Sequence, residues 1–112
     1  MEKIIKRQTL FLRLDGELDM KTAETVRTMI DTEIDKRGIR TVIINLQKVE
    51  FIDSSGLGVL LGRYKKLLAL EGKLKITNVP PRIYKIMELS GLPKIIHFYT
   101  DESSAYEEGR GA

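Results

Sequence analysis

Residues 53–56, Asp-Ser-Ser-Gly, are the part of the sequence best suited by residue type to chemistry. Ser54 and Ser55 carry hydroxyls that can act as nucleophiles or accept a transferred group. The simpler interpretation is a helix N-cap, because a carboxylate or hydroxyl at a helix start accepts hydrogen bonds from the free amides of the first turn. Gly56 and Gly58 add two positions without side chains, where another backbone or molecule can come close. Spacing alone favours the cap.

A second acidic segment, residues 15–19 (Asp-Gly-Glu-Leu-Asp), follows an alternating run of apolar residues. In open α/β sheets, functional sites gather outside the carboxyl ends of the strands. We therefore expect Asp15, Glu17 and Asp19 to gather with Asp53 around the two serines.

Three enzyme interpretations stay open on these residues, each with weak support. A carboxylate cluster can hold Mg²⁺, but the turns lack a phosphate cradle. The run from Gly56 to Gly58 lacks the third glycine of a dinucleotide fingerprint, and the chain has no Walker motif. Residue 52 is Ile, which breaks the Gly-x-Ser-x-Gly nucleophile elbow. A Ser–His–Asp triad would have to use His97, the one histidine. We expect no metal and no cofactor.

The elements that must position these residues follow from the hydrophobic pattern. Short β-branched or alternating runs predict strands at 9–14, 41–46, 73–77 and 95–98, and residues 2–7 are a candidate antiparallel edge strand. Helical spacing predicts helices at 20–36, 54–72, 80–89 and 101–108. This order implies an α/β fold with a mostly parallel sheet. A stripe on the second helix is interpreted as core, with its first member partly at a surface: Leu57, Leu60, Leu61, Tyr64, Leu67 and Leu68.

Length and composition restrict the class of protein. A chain of 112 residues fits one domain, 1–112, with a frayed end at 109–112. The net charge of +3 is not concentrated in a dense basic run, which argues against nucleic-acid and membrane partners. Without cysteine there is no disulfide framework or thiol nucleophile. The chain has neither a long apolar span nor a signal-like start, so we expect a cytoplasmic protein, and nothing demands more than a monomer.

Residues 51–65 (FIDSSGLGVLLGRYK) resemble the signature of bacterial anti-sigma factor antagonists with a STAS domain. Residues 16–19, 22–25 and 90–96 are similar to the same family, so the resemblance covers most of the chain. The small, single-domain sporulation-type members are the most similar. The resemblance implies a STAS-like sandwich with about four helices.

The resemblance also implies a function. In this family the unphosphorylated protein binds an anti-sigma factor that is also a serine kinase, and a sigma factor is released. The kinase uses ATP to phosphorylate a serine that corresponds to Ser54, and a PP2C-type phosphatase resets the protein. Asp19 is implied as a neighbour of the phosphorylation site, and Ser55 as a contact residue. The implied partner-binding residues are Asp19, Asp53, Ser54, Ser55, Gly56 and Leu57.

Two alternatives come from other classes. One is a STAS scaffold or small-ligand-sensing domain that is not phosphorylated. The other is a small hydrolase that uses Ser54 as its nucleophile.

Overall fold

The computed structural model describes residues 1–110, with side chains described through residue 107. Within this part the chain forms five strands and four α-helices: β1 (Glu2–Lys6), β2 (Thr9–Leu18), α1 (Met20–Arg37), β3 (Thr41–Ile52), α2 (Ser54–Ala69), β4 (Lys73–Thr77), α3 (Pro81–Ser90), β5 (His97–Tyr99) and α4 (Glu102–Arg110). A short 3-10 helix, Leu92–Lys94, lies between α3 and β5. The predicted frayed end at 109–112 includes residues 111 and 112, which lie outside the described residues.

The strands form one sheet in the order β1-β2-β3-β4-β5. β1 runs antiparallel to β2, and the other neighbours pair in parallel. The predicted α/β class and the antiparallel edge strand are therefore confirmed. Parallel pairing requires a crossover connection, and each one here passes through a helix.

Side chains that alternate along the strands build two unequal layers. Leu10, Leu12 and Ile44 point into a large core that α1, α2 and α3 cover. Phe11 and Ile43 point to the other face, where α4 covers them through Ala105. None of the helices formed within residues 1–110 combines the length and apolar composition that crossing a membrane requires.

The strands β2 and β3 extend beyond their predicted ends. The prediction that residues 15 and 16 end the first of them is wrong, because β2 continues beside β3 to Leu18 through two shifts in register. Gly16, with φ +71°, lies at the second shift. The extension matters because it carries both strands to the same level, where Leu18 pairs with Ile52.

Two further local predictions, one on β5 and one on α2, are wrong. β5 covers only His97–Tyr99, because Leu92–Lys94 turns as a 3-10 helix and Ile95 is left exposed. The prediction that Leu68 belongs to the core stripe is wrong, because its side chain is 57% exposed, whereas Leu60 and Leu67 are fully buried. Two adjacent helical residues point about 100° apart, so Leu67 and Leu68 do not share one face.

The first turn of α2 packs directly on the end of β2. A Cβ atom on Gly56 would lie 2.3 Å from the carbonyl oxygen of Leu18 and 2.8 Å from Cγ1 of Ile52. Glycine is therefore required for this approach. Gly58 lies half a helical turn further along, and a Cβ atom placed on it would have no heavy atom within 4 Å.

A charged network attaches α4 to the sheet. The Arg13 guanidinium donates two hydrogen bonds of 2.9 Å to the two carboxylate oxygens of Glu102, and Asn45 Nδ2 donates a third of 2.8 Å. Hydrogen bonding from Arg13 holds the pKa of Glu102 below its usual range. The carboxylate is thus ionised and bound at three points at neutral pH.

Substituting Gly56→Ala and Gly58→Ala should change stability in opposite directions. The first forces a methyl group against the Leu18 carbonyl, so we expect a loss of about 1–3 kcal/mol in the free energy of unfolding. The second adds helix propensity in open space, so we expect a gain of about 0.5–1 kcal/mol. Urea denaturation of both variants measures the difference. A change of the same sign in both would contradict the packing described here.

Glu102→Gln should lower stability by about 1–2 kcal/mol at neutral pH, because it removes a charge-assisted pair while keeping the side-chain shape. A carboxylate whose pKa is lowered by folding contributes stability above its unfolded pKa of about 4.3. That contribution is lost as the pH falls through the folded value. The gap between wild type and variant in urea denaturation should therefore shrink from pH 7 to pH 3. Glu107→Gln, exposed on the same helix, is the matched control and should leave stability unchanged.

Candidate functional site

The carboxyl ends of β2 and β3 place two helix N-termini side by side. Leu18 and Ile52 are register partners, and the Asp53 N–H donates to the Leu18 carbonyl at 3.3 Å. Asp19 and Asp53 come next in each strand, and both have extended backbone with ψ near −170°. Each is the N-cap of the helix that follows, so α1 and α2 begin at the same edge.

Asp53 caps α2 with its own carboxylate. Its Oδ1 accepts hydrogen bonds from the amides of Ser55 at 2.9 Å and Gly56 at 3.1 Å. The N-cap interpretation of this turn is therefore confirmed, and the capping group is Asp53. Neither serine hydroxyl forms a hydrogen bond within the described residues, and Ser54 is exposed while Ser55 is half-buried. The cap leaves Ser54 available at the first position of α2.

Asp19 caps α1 in a reciprocal arrangement with Thr22. Asp19 Oδ1 accepts from the amides of Lys21 at 3.0 Å and Thr22 at 3.1 Å, and the Thr22 hydroxyl oxygen accepts from the Asp19 amide at 2.9 Å. The hydrogen bond from the Thr22 amide is the main reason that the pKa of Asp19 lies below its usual range. A negative charge is therefore maintained at the edge where Ser54 lies.

The expected gathering of four carboxylates around the serines is wrong for Asp15. Its carboxylate pairs with the N-terminal amine of Met1 at 2.8 Å, and its register partner is Lys48, four residues before the end of β3. Glu17 is exposed and lies level with Phe51. Within residues 1–107 no group of three or more potential ligands is placed to hold a metal ion. The charge close to Ser54 comes from the two capping aspartates.

The structure does not assemble a Ser–His–Asp triad at Ser54. His97 is the first residue of β5 and lies level with Lys75, which in turn lies level with Ile43 near the start of β3. Ser54 follows the far end of that strand. The two side chains therefore lie toward opposite edges of the sheet.

Two exposed apolar side chains lie close in sequence to the capping aspartates, and the sequence analysis did not predict them as contact residues. Met20, directly after Asp19, is 77% exposed, and Phe51, two residues before Asp53, is 47% exposed. Phe51 was detectable, because its neighbour Ile52 is in the core and adjacent strand residues point to opposite faces. Met20 follows the periodicity of α1, but it precedes the part of that helix that the core covers. Leu57 is half-buried and packs on the core, as expected for a residue at its margin.

The geometry of Gly56 differs from that of the other predicted contact residues. Gly56 is buried, and Leu18 and Ile52 of the same chain occupy the space where its side chain would lie. Its observed role is to set the position of α2. The accessible glycine of this turn is Gly58.

Comparison with known proteins agrees with this architecture. The sequence model of the STAS domain matches residues 1–105. The anti-sigma F factor antagonist of Paenibacillus polymyxa is 39% identical over 102 residues, which cover 91% of this chain and 87% of that protein.

Solved structures show the same fold. The anti-sigma factor antagonist SpoIIAA in its unphosphorylated form is 35% identical and superposes with a TM-score of 0.86, over 99% of this chain and 96% of that one. The Bacillus cell fate determinant SpoIIAA in its phosphorylated form is 34% identical, with a TM-score of 0.75 over 95% and 96% of the two chains. The chain belongs to the STAS-domain family of anti-sigma factor antagonists.

Proposed function

We propose that this protein is a binding switch controlled by phosphorylation of Ser54. The unphosphorylated chain binds an anti-sigma factor with serine kinase activity, and a sigma factor is released. Transfer of a phosphoryl group from ATP to Ser54 ends that binding, and a PP2C-type phosphatase restores it. The observation that carries the proposal is the exposed Ser54 hydroxyl at the first position of α2, beside an N-cap that Asp53 alone provides.

The local geometry favours Ser54 over Ser55 as the acceptor. A kinase must bring ATP within bonding distance of the hydroxyl, which requires an exposed side chain with no hydrogen bond to break. Ser54 meets that requirement, whereas Ser55 is half-buried. SpoIIAA, which is about one-third identical to this chain, has been solved in both phosphorylated and unphosphorylated forms, which supports phosphorylation without loss of the fold.

The charge that phosphorylation adds has two opposite effects. A phosphate carries about −1.5 to −2 charges at neutral pH, and the free amides of a helix N-terminus favour an anion. The adjacent carboxylates of Asp19 and Asp53 oppose it. The fold tolerates the group because it remains in water, but an interface that covers it must desolvate three neighbouring anionic groups. Each 1.4 kcal/mol of that cost weakens binding about tenfold.

The surface around Ser54 has the composition of a protein interface. Exposed Met20 and Phe51 supply apolar contact area next to the two capping aspartates, and aromatic residues and methionine are enriched at protein interfaces. Ser55 and Leu57 lie half-buried at its margin. Gly56 contributes by holding α2 in place.

This proposal assigns no catalysis and no cofactor to the chain itself. The partner kinase binds ATP and catalyses the phosphoryl transfer, and the phosphatase catalyses hydrolysis of the phosphoserine. The antagonist therefore needs only an acceptor hydroxyl and a binding surface. We propose that the protein acts in the cytoplasm, where such partners work, and that it acts as a monomer.

Ser54→Ala should keep full binding to the cognate anti-sigma factor in the presence of ATP, because the acceptor hydroxyl is gone. Ser54→Asp should bind at least tenfold more weakly, because it places a permanent charge at the same position. Calorimetry with purified partner measures both affinities. Ser103→Ala, an exposed serine on α4, is the control and should behave as wild type.

Incubation with the kinase and ATP, followed by mass spectrometry of peptides, locates the phosphate. We expect it on Ser54 and absent from the Ser54→Ala variant. Phosphate found only on another residue would refute the assignment. Full binding by Ser54→Asp would refute the electrostatic mechanism.

A further inference from the structure

The amino-terminal ends of β2, β3 and β4 surround a cavity at the edge of the sheet opposite Ser54. Its volume is about 270 Å³. It is lined by residues 7–9, 40–41 and 71–73, together with Lys75 from β4 and the α4 residues Ala105 and Tyr106. The proposed switch uses none of these residues.

Backbone contacts hold the three loops of this cavity together. The amides of Arg40 and Thr41 donate to the Gln8 carbonyl at 3.1 and 3.2 Å, and the Lys73 amide donates to the Arg40 carbonyl at 2.8 Å. A Cβ atom on Gly72 would lie 2.2 Å from that same Arg40 oxygen, so only glycine allows the approach. The cavity is therefore a preformed part of the fold.

The charges that line the cavity are strongly unbalanced. Among the described residues that line it, Arg7, Arg40, Lys73 and Lys75 are cationic and Glu71 is the one carboxylate. Lys75 is only 4% exposed, and its ammonium group donates to the Ala105 carbonyl at 2.7 Å. A buried cation in the wall, where water screens charge poorly, strengthens attraction for an anion.

Among the described side chains, some cations elsewhere on the molecule are paired with carboxylates, and others, such as Lys65 and Lys85, are unpaired but do not line this cavity. Ion pairs with carboxylates are formed by Lys3, Arg13, Arg27, Arg37, Arg63 and Lys66. Within the described side chains, Arg7, Arg40 and Lys73 have no carboxylate partner in ion-pair range, and Arg40 donates only to the Ile39 carbonyl. The charges of these three residues are therefore not neutralised by any carboxylate among the side chains that the structure describes.

Two residues at the cavity have left-handed backbone that usually belongs to glycine. Arg7, in the β1–β2 turn, has φ +57°, and Glu71, after the end of α2, has φ +61°. The left-handed conformation costs a residue with a Cβ about 1 kcal/mol. Charged side chains thus occupy two positions where glycine would be the less strained choice, and such outliers cluster at functional sites.

We propose that this cavity binds a small anion bearing a phosphoryl group. Guanidinium groups bind phosphate oxygens in pairs of parallel hydrogen bonds, and lysine adds point charges. A phosphate, with about −1.5 to −2 charges, offsets more of the local excess than a single carboxylate. The cavity volume accommodates such a group together with a small organic part or a second phosphate.

Titration of ¹⁵N-labelled full-length protein with sodium pyrophosphate tests the site, with sodium chloride at equal ionic strength as the reference. We expect saturable amide shifts confined to residues 7–9, 40–41 and 71–73. Inorganic phosphate should shift the same amides with weaker affinity, because it carries less charge. Shifts that match those in chloride, or that centre on residues 53–57, would overturn the proposal.

Variants separate a built site from general attraction to a basic protein. Arg40→Gln and Arg7→Gln should each weaken pyrophosphate binding at least tenfold, and Glu71→Gln should strengthen it. Arg82→Gln, which removes the same charge from an exposed position on α3, should change affinity less than twofold. Equal losses in Arg40→Gln and Arg82→Gln would refute the site. The opposite sign expected for Glu71→Gln excludes loss of folding as the explanation.

Discussion

The parallel pairing of β2 with β3 up to their last residues is the constraint on which the rest of the structure depends. Because Leu18 and Ile52 lie at the same level, the chain leaves both strands together and begins two helices side by side. The backbone hydrogen bond from Asp53 to Leu18 closes the junction. Gly56 then lets α2 settle onto the Leu18 carbonyl, where any side chain would collide. A displacement of either strand by one residue would separate the two caps.

The two edges of the sheet carry opposite electrostatic character. Carboxylates of Asp19 and Asp53 stand at the carboxyl edge, and the cations of the cavity stand at the amino edge. α2 extends from one edge to the other, beginning at Ser54 and ending next to the 71–73 loop. The net charge of +3 does not reveal this separation, because it is a sum over the whole chain in which regions of opposite sign partly cancel.

Under the proposed function, a small domain works as a switch without catalytic groups of its own. The helix cap is complete before any phosphate arrives, since Asp53 satisfies the amides of Ser55 and Gly56. A phosphate on Ser54 therefore displaces no structural hydrogen bond and changes the surface more than the fold. The residue that stabilises the start of the helix, Asp53, is therefore different from the residue proposed to be phosphorylated, Ser54.

The sequence by itself determined the α/β order, the edge strand, the cap before the second helix and the family. These features depend on local periodicity, on capping chemistry and on a compact motif at 51–65, all of which are readable along the chain. It did not predict that β2 passes Asp15 and Gly16, because polar and glycine residues usually end a strand and only pairing with β3 overrides that tendency. Nor did it place Asp15 beside Met1 or join Arg7, Arg40 and Lys73 in one cavity. Those arrangements were decided by tertiary structure, because each depends on contacts between segments distant in sequence, whose register local residue preferences do not specify.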